Sequence, residues 1–227
     1  MRRGIARSES LGPAGLPRPP TSHHRATREP RPCGRRRSRP NCEVARAVGE
    51  ANHAFARLVL GVVLTRTNRI LQGIAECKRA LALDRNLAHA HAQFGLAKLY
   101  MGCGAETEAH MREAFRLSPL DIFAHNWMLT VGFAKLQTQE DNEAVVWFHR
   151  SIEANRNFPL AYFGLAAALA LHGSLDQARA AAQAGLLISS TFTIRRFRDC
   201  AQNDNPIYLA ERERVYQGMR RAGVPEG

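Results

Sequence analysis

The sequence repeats itself, and the length of the repeat restricts what it can fold into. A shift of 71 positions brings Arg85-Asn86-Leu87 onto Arg156-Asn157-Phe158, Ala90 onto Ala161, Phe94 onto Leu165 and Ala97 onto Ala168. Small residues near the end of successive copies, Ala80, Ala114, Ser151 and Gly185, lie 34, 37 and 34 residues apart. Two further small positions precede each of them: Gly61 and Gly73, Gly132 and Ala144, Ala166 and Ala178, and in the second copy Gly95 with Thr107. Such a period fits two helices of three to four turns joined by a tight turn. A hairpin of that size cannot bury its own apolar face, so neighbouring copies must stack into one continuous core. The expected class is all-α.

This arrangement resembles the tetratricopeptide repeat (TPR). The resemblance implies a right-handed superhelical solenoid of about four helix-turn-helix repeats, at 54–87, 88–121, 125–158 and 159–192, with a C-terminal capping helix. Three extra residues, Ile122 to Ala124, precede the third repeat, and the proline of the family pattern occurs once, as Pro119. Ligands of such repeats lie in a concave groove lined by the first helix of each pair. Mapped by repeat position, the candidate protein-binding residues are His89, Leu96, Tyr100, Asn126, Phe133, Gln137 and Phe163. The same positions also serve as inter-repeat core. A groove that grips a terminal carboxylate needs several Lys, Arg and Asn side chains, and this one supplies only Arg66 and Asn126. The expected partner is therefore a protein or peptide offering an apolar helix or extended segment, which could come from a longer parent protein.

Helical periodicity begins near Ala51. Phe55, Leu58, Val59 and Val62 form one stripe, answered by Ile70, Ile74, Cys77 and Leu81. Gly102-Cys103-Gly104 marks a turn, and Asp121 is the expected N-cap of a helix running from about Ile122 to Leu136. Asp141 or Asn142 starts the next helix, and Ser174 with Gln177 reads as a capping box. The segment 193–227 is read as a linker and a last helix. Asn205 caps that helix, Pro206 opens it, and Gly223 and Pro225 end it. Ile207, Leu209, Val215 and Met219 are its expected buried side, and it should cover the open end of the stack.

Charge is concentrated ahead of the repeats. Residues 1–42 hold 11 arginines against Glu9 and Glu29, whereas the whole chain has net charge +12. Seven of the 11 prolines also fall there, so residues 1–45 are expected to be a disordered Arg/Pro-rich tail. Arg35-Arg36-Arg37-Ser38-Arg39 could meet phosphates by charge, but residues 1–42 contain no aromatic side chain for base stacking, which disfavours nucleic acid. No apolar run approaches the roughly 18 residues of a membrane span. Five cysteines without a CxxC pair argue against a disulfide framework or a zinc site and for a reducing, cytoplasmic setting. His89 and His91 point to different helix faces, and no phosphate loop, HExxH or GxSxG is present. No metal, cofactor or catalytic residue is expected.

From Ala51 onward the chain also resembles the carboxy-terminal TPR region of bacterial class III adenylate or guanylate cyclases, and similar tails on winged-helix regulators. The phrases that carry this are GIAEC from Gly73, SIEANRN from Ser151, TFTIRRFR from Thr191 and DNPIYLAERERVYQGMRRAGVPEG from Asp204. The resemblance implies a signalling context, but it covers none of the catalytic portion of such proteins. The expected function is a non-catalytic protein-interaction or regulatory module. The alternatives are a truncated cyclase or winged-helix regulator lacking its output domain, and a basic-tailed nucleic-acid binder.

Overall fold

The computed structural model describes residues 53–227, so the Arg/Pro-rich tail lies outside the described residues. They form ten helices and no strand. Four antiparallel pairs come first: α1 (Ala54–Arg66) with α2 (Ile70–Leu83), α3 (Ala88–Tyr100) with α4 (Gly104–Leu117), α5 (Ala124–Gln137) with α6 (Asp141–Ala154), and α7 (Pro159–His172) with α8 (Leu175–Ile188). A short α9 (Ile194–Asp199) and a longer α10 (Pro206–Arg221) follow.

The turns are chemically uneven. Gly102 (φ +75°) and Gly173 (φ +101°) occupy the left-handed region that L side chains avoid, and each lets the chain reverse directly after a helix. Asn68 and Gln139 hold the equivalent conformation in the other two hairpins (φ 62° each). Asp121 does not cap α5. Its carboxylate instead accepts from the Phe123 amide (2.9 Å) and the Ser118 hydroxyl (3.0 Å). The extra residues thereby go into a turn, and α5 starts two residues later than expected. Ser174 precedes α8, but its hydroxyl makes no capping hydrogen bond. Asn205 does cap, accepting from the amides of Ile207 and Tyr208.

The small positions are where the helices cross. Ala80, Ala114, Ala144, Ala166 and Ala178 are all fully buried. Where the repeat has a polar residue instead, its hydroxyl is satisfied by backbone. Thr107 donates to the Gly95 carbonyl (3.2 Å) and Ser151 to the His125 carbonyl (2.7 Å). Each hydroxyl therefore enters the core with its hydrogen bond made, so the cost of burying it unpaired is avoided.

Cys77 sits in the same kind of crossing between α1 and α2 and is 1% exposed. Burial, reinforced by the neighbouring Glu76 carboxylate, pushes its thiol up from 9.0 to about 12. The folded chain thus keeps a proton that the unfolded chain loses above about pH 9. Whatever stability this contributes is complete below that pH and is lost as pH rises toward 12. Iodoacetamide at pH 9 should modify the exposed Cys200 of the native chain and spare Cys77 until denaturant is added, as read by peptide mass mapping.

The last helix departs from expectation in where it lies. It starts beside α3, passes the end of α5 and finishes on the inward side of α7, where Gly218 meets the Ala167 backbone. Arg214 forks onto Asp141 at the start of α6 (2.7 and 2.6 Å) and also donates to the Leu136 carbonyl (3.2 Å). Tyr208 reaches Tyr100, and Asn203 bonds Asn68 in the first hairpin. The chain end folds against α9, with the Ile194 and Arg195 amides donating to the Pro225 and Glu226 carbonyls (2.9 Å each). Tyr208, Val215, Tyr216 and Met219 form the buried side of α10, while Ile207 and Leu209 are 57% and 39% exposed.

Candidate functional site

The first helices of the pairs line the inner face of the solenoid, and two joined pockets lie along it. The first, of about 240 Å³, is bounded by Phe55, Val59 and Val62 of α1, His89 and Leu96 of α3, and Phe123 and Trp127 at the start of α5. The second, of about 250 Å³, lies between Leu96, Tyr100, Leu129, Phe133 and Leu160 on the concave side and Phe197, Tyr208 and Val215 of the C-terminal segment. Arg66, Leu96, Asn126 and Thr130 border both. Their walls are mainly apolar, with isolated polar groups between, as in sites that bind by shape and a few directed hydrogen bonds.

Six of the seven candidate residues line these pockets. Leu96 and Asn126 stand at the junction, Tyr100, Phe133 and Gln137 line the second pocket, and His89 lines the first. Phe163 does not. It is fully buried, its ring stacked on Phe192 at 3.7 Å between centroids, so the groove position of the last repeat has become core. The segment after α8 folds back over α7 and seals it.

Three of the four polar candidates have partners within the protein. The Tyr100 hydroxyl donates to Gln202 Oε1 (2.7 Å), and burial raises its proton affinity well above an ordinary tyrosine's. Gln137 donates its amide to the Leu99 carbonyl (3.0 Å). His89 Nε2 lies 3.5 Å from Asp121 Oδ1, with its ring edge-on to Phe123 and Trp127. His89 therefore braces the groove wall.

Sequence reading missed the contribution of the C-terminal segment. Arg212 donates to the hydroxyls of Tyr216 (2.6 Å) and Tyr208 (2.8 Å) and to the Phe197 carbonyl (2.7 Å), with its guanidinium 4.3 Å from the Phe197 ring centroid. This network fixes the outer wall of the second pocket, to which Gln202 and Glu211 also belong. In the sequence Glu211 and Arg212 look like a solvated charged face. The tyrosines at 208 and 216, one helical turn to either side of Arg212, are the signal that could have revealed it. Among the described residues, no group of three or more His, Cys, Asp or Glu side chains is placed to hold a metal ion.

No protein-family model matches the sequence, and no curated protein matches it. Solved structures do. YrrB, a TPR protein with an unusual peptide-binding site, superposes with a TM-score of 0.53 at 20% identity, over 79% of this chain and 90% of that one. PilF of Pseudomonas aeruginosa gives 0.60 at 20% identity, over 80% and 79%. PilW, a widely conserved type IV pilus biogenesis factor, gives 0.63 at 17% identity, over 78% and 80%. The fold is a TPR solenoid. At these identities the likeness extends to the fold alone, and none of the three is a cyclase-linked tail.

Proposed function

We propose that the chain is a non-catalytic protein-interaction module that holds an apolar helix or extended segment of a partner protein in the first pocket. One observation carries this reading. Phe55, Val59 and Phe123, at the rim of the first pocket, are 56%, 41% and 47% exposed, whereas the equivalent inner face of the last repeat is covered. Clustered apolar side chains left open beside a groove mark an interaction site, where scattered ones would not. The second pocket cannot admit a whole helix, because α10 already crosses it. Val215, Tyr216 and Met219 are each buried, and fully burying such a side chain is worth about 1.5–3 kcal/mol, so α10 is a fixed wall that a ligand does not displace.

YrrB carries a peptide-binding site on the same fold, which supports a peptide ligand here. The phrases shared with cyclase-linked repeat regions favour a bacterial signalling module acting in the cytoplasm. PilW, a pilus biogenesis factor, offers that process as the competing setting. Among the described residues, no helix is long and apolar enough to cross a membrane.

Peptides selected from a random display library on the immobilised full chain should bind through the groove. Leu96→Glu places a charge where the two pockets meet and should weaken them about tenfold or more by fluorescence anisotropy, with the far-ultraviolet circular dichroism unchanged. Binding that survives Leu96→Glu and is lost when the exposed Leu187 at the far end of α8 is made polar would move the site off the groove.

A further inference from the structure

The second pocket contains a carboxylate that nothing in the protein answers. Glu211 lines it from α10, and its Oε2 is shielded from solvent with no protein donor within hydrogen-bonding distance. The other acidic side chain of that helix is paired, Glu213 with Arg198 (3.0 Å) and with Arg220 (2.9 Å). The two guanidinium groups bordering the pocket are directed elsewhere. Arg212 donates through all three of its nitrogens to two tyrosine hydroxyls and a carbonyl, and Arg66 donates to Gln202 Oε1 (3.2 Å). Burial alone raises the proton affinity of Glu211, and no neighbouring cation offsets it.

We propose that this pocket seats a lysine or arginine side chain of the partner segment, its cation on the Glu211 carboxylate. The inference rests on reading the groove as a peptide site. A cation would supply both the missing donor and the missing charge, and charge-assisted hydrogen bonds are the strong ones when water is excluded. The aliphatic stem of such a side chain suits the walls made by Leu129, Phe133, Leu160 and Val215. The volume, about 250 Å³, leaves room for one long side chain. A peptide is the source because the pocket opens into the first one at Leu96 and Asn126, so a chain lying there can drop one residue through the junction.

The test uses the full chain, labelled with nitrogen-15, and three probes of matched length: n-hexylammonium, hexan-1-ol and hexanoate. Amide shifts around the pocket should show hexylammonium binding about tenfold or more tighter than hexanol, and Glu211→Gln should bring the two to equal affinity. Equal affinity of all three for the unaltered chain, or hexanoate binding tightest on Arg66, would overturn the proposal. Peptides selected on the chain should also carry Lys or Arg beside apolar residues, and their affinity should fall about tenfold in Glu211→Gln. Groove-binding peptides with no such enrichment would sink this inference and leave the groove reading intact. A Glu211-dependent preference for hexylammonium, with no peptide bound at all, would assign the pocket to a free small amine and sink the peptide source. Self-association of the chain that Glu211→Gln abolishes would give the pocket to a second copy and likewise overturn the assignment.

Discussion

Replacing Phe148 by alanine should lower the stability of the chain by about 3–5 kcal/mol, more than any other single truncation of the repeats. Phe148 is fully buried, and its ring lies between Gly132 of α5 and Gly164 of α7. A β-carbon at Gly132 would stand 2.7 Å from the ring, and one at Gly164 would stand closer still. The two glycines thus make a slot whose width is set by one aromatic ring. Phe133 meets that ring edge-on (5.2 Å between centroids), so the ring also supports the floor of the second pocket. Helix backbones on both sides prevent the slot from collapsing, which places the substitution at the costly end of the large-to-small range. Urea unfolding followed by circular dichroism would measure this. A loss below about 1 kcal/mol would mean that α5, α6 and α7 are not in this register.

The repeats were readable because four copies correct one another. One glycine or alanine says little, but small residues recurring at one spacing locate a helix crossing even when a single copy substitutes Thr107 or Ser151. What was not readable has no second copy. The turn at Asp121 arises once, and its carboxylate had two plausible duties, capping a helix or closing a turn. Hydrogen bonds to both Ser118 and Phe123 decide for the turn. Ser174 had the right neighbours for a capping box, yet its side chain makes no cap.

The C-terminal helix starts at Pro206 with Asn205 as its cap, as the sequence implies, but only part of its buried side is legible. Its inward stripe, Tyr208, Val215, Tyr216 and Met219 with the half-buried Arg212 among them, has the correct helical spacing but contains a charged residue at its centre. An apolar pattern alone therefore groups Val215 and Met219, which are buried, with Ile207 and Leu209, which are largely exposed. The groove candidates show the same limit. Repeat position puts Leu96, Asn126 and Phe133 on the inner face, and all three line the pockets there. It could not indicate that the chain would come back and cover Phe163.

Gly218 is where that return is anchored, and its replacement tests the pocket and the fold together. A β-carbon there would lie 2.6 Å from the Ala167 carbonyl oxygen and 2.9 Å from its α-carbon. Both are backbone atoms of a buried helix, so no side-chain rotation can relieve the contact. Gly218→Ala should therefore push α10 outward and cost about 1–3 kcal/mol, although alanine is the better helix former by about 1 kcal/mol at an ordinary helical site. Gly218→Leu should cost more. The displacement acts along the whole helix. Tyr208 would pull away from Tyr100, and the bidentate Arg214–Asp141 pair would lengthen. The wall that carries Glu211 and Val215 would move with them. The first four helices do not touch Gly218, so a chain with this change should keep most of its helical signal while losing tight binding of hexylammonium in the second pocket. If Gly218→Ala is instead neutral or stabilising, with pocket binding intact, then α10 does not lie against α7 as described, and the second pocket lacks the fixed wall on which the Glu211 assignment depends.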